Sequence, residues 1–84
     1  MFKNHVNDSA QDACRLEGRY ANYFKVGHNA FEFVFDFSQL YHDSKEAKVH
    51  TRIITSPAHA KALLKILRES IEEFEQTFGA IHEE

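Results

Sequence analysis

The 84-residue sequence predicts an α+β fold, a three-stranded antiparallel meander packed on one long C-terminal helix (β-β-β-α), with a dimer expected. Three observations carry that reading. Phe31, Phe33, Phe35 and Phe37 alternate with Glu32, Val34 and Asp36, which places the four rings on one face of a strand and would scatter them around a helix. Ala60, Leu64, Leu67, Ile71, Phe74 and Phe78 recur at alternating intervals of four and three, the stripe of an amphipathic helix. Ser56-Pro57 before that stripe and Gly79 after it supply a cap, a first helical position and a stop.

The elements follow in order. Residues 1–18 show no sustained period, and their Asn, Asp, Ser and Gln content reads as a mobile N-terminal tail. Residues 19–81 form the single domain, and residues 82–84 a C-terminal tail. Arg19 to Val26 alternates as a first strand, with Tyr20, Asn22, Phe24 and Val26 on one side, and Gly27-His28-Asn29 supplies turn chemistry. Ala30 to Phe37 is the second strand. That turn suggests Val26 opposite Phe31, Phe24 opposite Phe33, Tyr20 opposite Phe37, and Lys25 opposite Glu32 on the other face. A polar loop from Ser38 to Glu46 leads to a third strand, Ala47 to Thr55, whose Ala47, Val49 and Ile53 are expected to join the Phe face. The helix from Pro57 to Phe78 is about 33 Å long, whereas an eight-residue strand spans only about 26 Å. It must cross the sheet diagonally or overhang it, leaving Phe74 and Phe78 with little of their own chain to cover them.

Composition bounds the function. A net charge of −3 and few basic residues lack the footprint of a duplex nucleic-acid binder. A single cysteine, Cys14, excludes an internal disulfide framework and a cysteine-based zinc site. No apolar run approaches the roughly 18 residues of a membrane span, and Met1-Phe2-Lys3-Asn4-His5 is not a signal peptide, so no membrane partner is expected and the expected location is cytoplasmic.

The runs Gly18-Arg19-Tyr20-Ala21-Asn22-Tyr23-Phe24-Lys25-Val26-Gly27-His28 and Glu32-Phe33-Val34-Phe35-Asp36-Phe37 are distinctive in order. So is Val49-His50-Thr51-Arg52-Ile53-Ile54-Thr55-Ser56-Pro57-Ala58-His59-Ala60-Lys61, followed by Phe74-Glu75 and Phe78-Gly79-Ala80-Ile81. Together they resemble a small prokaryotic family, domain of unknown function 3467, over about residues 17–81, with the first 16 residues outside it. The resemblance implies a compact strand–strand–strand–helix module of bacteria and archaea. It implies no reaction, cofactor or catalytic residue.

The residues themselves point to association rather than chemistry. The six histidines include no pair at metal-ligand spacing within one element, although His28 and His50 could approach if the third strand paired suitably. No metal or other cofactor is expected. Cys14 lacks a positioned base, Glu32 and Asp36 face neighbouring cations, and so small a body has little interior for a pocket, so no catalytic residue and no enzyme activity are expected. The polar face collects Lys25, Glu32, Asp36, Lys48, His50 and Arg52, a solvated surface that could meet a protein partner. Two open sheet edges and an over-long helix favour a homodimer or higher oligomer, self-associating through the helix flank Ile66, Ile71, Phe74 and Phe78. The functional expectation is a non-enzymatic, homo-oligomeric protein-interaction module or an accessory subunit of a cytoplasmic assembly. The alternatives are a holdase-like chaperone that binds unfolded segments through its aromatic surface and a single-stranded nucleic-acid binder using Lys25, Lys48 and Arg52 with Tyr23. Acidic residues at Glu69, Glu72, Glu73 and Glu75 argue against the last.

Overall fold

The computed structural model describes residues 16–43 and 45–83. Most of the expected N-terminal tail, with Cys14, His5 and Phe2, lies outside the described residues. The chain forms β1 (Tyr23–His28), β2 (Phe33–Gln39), β3 (Lys48–Thr55) and α1 (Pro57–Phe78). The strands make one antiparallel sheet in the order β1-β2-β3, the meander that the sequence predicts.

The β1–β2 register differs from the expected one. Val26 faces Phe35, Phe24 faces Phe37, Lys25 faces Asp36 and His28 faces Phe33. The cause is Asn29. Its side-chain Oδ1 accepts hydrogen bonds from the backbone N–H groups of Phe31 (2.7 Å) and Glu32 (3.0 Å), and its own N–H donates to the Glu32 carbonyl at 3.0 Å. An Asn that binds the backbone ahead of it builds the turn around itself. The turn therefore spans Asn29 to Glu32, and Gly27 stays inside β1. Phe31 moves from the expected strand face to the turn tip, where it is 84% exposed. Displacement by an even number of residues keeps every other side chain on its expected face.

A second irregularity lies in β3. Phe37 faces Thr51 but Ser38 faces Val49, so His50 is the extra residue of a bulge. The bulge reverses the alternation beyond it. Ala47 and Val49 share a shallow hollow with Tyr23, Lys25, Ser38 and Leu40, on the polar side of the sheet instead of the Phe side where alternation had put them. Asn22 closes the neighbouring corner by pairing twice with Leu40: its Oδ1 accepts from the Leu40 N–H (2.7 Å) and its Nδ2 donates to the Leu40 carbonyl (3.1 Å).

The helix has the bounds its signals predict. Ser56 is extended (φ −77°, ψ 159°), and its hydroxyl accepts from the His59 N–H at 3.1 Å. Pro57 occupies the first turn, where its missing N–H costs nothing. At the other end Gly79 adopts φ +99°, a backbone state that side-chain-bearing residues rarely take, and its N–H donates to the Glu75 carbonyl at 2.9 Å.

Packing is where the molecule is unusual. Among the described residues no hydrophobic side chain is buried, and the buried residue is a serine, Ser38. The first turns of α1 stand beside Val26, Phe33 and Phe35, and the helix is not packed along the Phe face as the sequence leads one to expect. Each large aliphatic or aromatic side chain left in water forgoes about 1.5–3 kcal/mol of burial. The described residues thus form a sheet and a helix around an open core.

Candidate interaction surface

The two faces of the sheet have different contents. On the polar face Lys25, Asp36 and Arg52 form one row across the three strands. The Arg52 guanidinium grips Asp36 with two bonds, Nε to Oδ1 at 2.7 Å and Nη2 to Oδ2 at 2.8 Å. That hydrogen bonding holds the Asp36 carboxyl below the usual aspartate range, against a smaller opposing effect of desolvation and with help from the charges of Arg52 and Lys25. The same bond pushes Arg52 further up. The other members of the expected polar set lie apart from this row. Glu32 is in the β1–β2 turn, Lys48 pairs with Gln39 beyond the bulge, and His50 sits at the bulge. The His50 ring nitrogens lie 2.7 Å from Thr51 Oγ1 and 3.0 Å from the Tyr20 carbonyl oxygen. His28 is at the opposite end of the sheet, its ring 5.3 Å from that of Phe33, so the two histidines do not converge. Among the described residues no cluster of three or more His, Cys, Asp or Glu is placed to hold a metal ion. No helix among them is long and apolar enough to cross a membrane.

The apolar face is built from Phe24, Val26, Phe33, Phe35, Phe37 and Ile53. The Phe24 and Phe37 rings meet edge to face at 5.8 Å, and Phe33 and Phe35 stack at 6.4 Å, favourable aromatic geometries, with Phe24 exposed and the other three rings half-buried. Where α1 begins, this face and the helix enclose a groove of about 480 Å³. Its walls are Val26, Phe33 and Phe35 from the sheet and Pro57, Ala60, Lys61 and Leu64 from the helix.

At the far end of α1 the Phe74 and Phe78 rings lie 4.9 Å apart. A second apolar hollow there is lined by Ser70, Ile71, Phe74 and Ile81. Ile81 is held back against the helix by its N–H, which donates to Glu75 Oε2 at 2.9 Å. Of the expected self-association residues, Ile71, Phe74 and Phe78 share the exposed stripe, while Ile66 is exposed about a third of a turn away from it. The groove and the contribution of Ile81 have no periodic signature in the sequence, because both depend on how the elements are placed in space.

The sequence matches the model of a family described as Protein of unknown function (DUF3467) over residues 4–83. The chain belongs to this family. The match includes residues 4–16, which the resemblance in the sequence had left out. No curated protein matches the chain. No solved structure matches it. For this DUF3467 chain, function must be argued from the two faces themselves.

Proposed function

We propose that this chain is a non-enzymatic, homo-oligomeric protein-interaction module, acting as an accessory subunit of a cytoplasmic assembly. One observation carries the reading: the strands and helix are fully formed, yet among the described residues no apolar side chain of the face they build is buried. A core left open in one chain is completed by a second surface of like chemistry, as in obligate dimers whose interface resembles a core cut in half. The polar row Lys25–Asp36–Arg52 points away from the groove and stays available to a further protein. A nucleic-acid reading is weaker than the sequence suggested, because Arg52 is engaged by Asp36 and Lys48 lies off the row. Exposed aromatic rings also suit a holdase-like chaperone, which would keep them accessible in the associated state.

Sedimentation equilibrium of the full chain at micromolar concentration tests the proposal. A dimer or a larger defined oligomer that does not bind an apolar dye supports it. A stable, folded 9.8 kDa monomer would overturn it. An oligomer that binds the dye and suppresses aggregation of an unfolded client would favour the chaperone.

A further inference from the structure

We infer that the groove beside the start of α1 receives the distal half of α1 from a second copy of the chain, the two helices running antiparallel and each copy donating its helix end to the other. This rests on the self-association reading and specifies its geometry.

The two surfaces are present on the same chain and have matching chemistry. The groove is apolar on both walls. The distal helix presents Ile71, Phe74 and Phe78, and the hollow there is lined by no strand residue among those described. It cannot turn back onto its own sheet, since α1 contains neither Gly nor Pro after Pro57 and so has no kink site. Two-fold symmetry satisfies groove and helix end in both copies at once and closes the assembly.

Area agrees with this. Phe24, Val26, Ile53, Ile71, Phe74 and Phe78 are 57, 58, 48, 40, 48 and 74% exposed. At about 200 Å² for a large apolar side chain they leave roughly 600 Å² uncovered per chain. Leu64 and Leu67, each 53% exposed, bring this near the about 800 Å² per partner of a standard stable interface.

Charge sets the direction. One flank of the apolar stripe carries Lys61, Lys65 and Arg68 toward the N-terminal end, then Glu72 and Glu75 toward the C-terminal end. The three cations rim a depression floored by Ala58, Ala62 and Leu64. Parallel pairing would set cations against cations and acids against acids. Antiparallel pairing sets Lys61, on the groove rim, beside Glu75 of the second copy and Lys65 near its Glu72, with Arg68 at the two-fold axis.

The test is cross-linking with a short bis-maleimide in the full chain carrying Cys14→Ser. One preparation carries Lys61→Cys and another Glu75→Cys, positions about 21 Å apart along one helix. The expected result is a cross-linked dimer containing one chain of each kind when the two are mixed and re-equilibrated, and none when either is alone. Self-links within either single preparation, or a wild-type dimer whose variants never cross-link, would overturn the antiparallel exchange while leaving self-association standing. A wild-type monomer in sedimentation would overturn the self-association reading itself. A charge exchange gives an independent readout: Lys61→Glu with Lys65→Glu, and Glu72→Lys with Glu75→Lys, should each weaken self-association about ten-fold, and mixing them should restore it. No restoration in a mixture of folded variants counts against the arrangement.

Discussion

The two faces of the sheet are made by the same three strands, yet among the described residues only one is finished. On the polar face the central acid finds two cations in its own row, and Arg52 binds it through Nε and Nη2 at bonding distance. On the apolar face the rings meet each other edge to face or stacked, and among the described residues no apolar side chain is buried. The difference follows from what each kind of group requires. A charge on a surface is satisfied by one neighbour and water, whereas an apolar side chain gains only when water is removed from all around it. Among the described residues the three strands and the helix supply neighbours but not a lid.

Two substitutions of nearly equal exposure break this comparison most sharply. Val26 and Ile54 are 58 and 59% exposed in the single chain but lie on opposite faces. Val26→Asp should weaken self-association by about 100-fold, because it sets a charge where the second copy excludes water. Ile54→Asp should change it by less than about three-fold, as a change outside the interface does. Sedimentation of both variants, with circular dichroism to confirm that each is folded, reads the difference. Equal effects would mean that the faces do not differ in role.

A smaller effect is expected at the helix start. Ser56→Ala removes the hydroxyl that accepts from the His59 N–H and should cost about 1 kcal/mol in chemical denaturation. Because Pro57, Ala60, Lys61 and Leu64 of these first turns line the groove, fraying them should also weaken association modestly. If stability fell while association stayed the same, the placement of those turns would not matter to the interface.

The smallest effect belongs to the finished face. Asp36 has its pKa lowered in the fold, so its pairing with Arg52 contributes above the ordinary aspartate range and is lost as pH falls through the depressed value. Asp36→Asn should therefore lower the unfolding midpoint slightly near neutral pH, and the difference from wild type should vanish at the acid end. A difference that persisted or grew in acid would contradict this sign. Self-association should be little changed in the variant, since the row points away from the groove.

The comparison also separates what the sequence discloses from what it hides. The alternation of Phe33, Phe35 and Phe37 and the stripe from Ala60 to Phe78 reveal a strand face and a helix face, because each is a period along the chain. Ser56 and Gly79 mark the helix ends through local chemistry. The hairpin register is not legible in the same way. Gly27 has the composition of a turn residue, but the side-chain oxygen of Asn29 has the bonds that make one. The bulge at His50 is equally silent, and it carries Ala47 and Val49 to the face opposite the one alternation assigns them. The exposed helix stripe of the candidate site can be read from spacing, but its receiving groove cannot, since that arises between two elements.

The claim that the apolar face needs a second copy is tested most directly by following thermal unfolding of the full chain across a wide range of chain concentration. A core shared between two chains couples folding to association, so the midpoint should rise steadily with concentration. A midpoint that stays constant from high to very low concentration, with the chain folded throughout, would contradict the account.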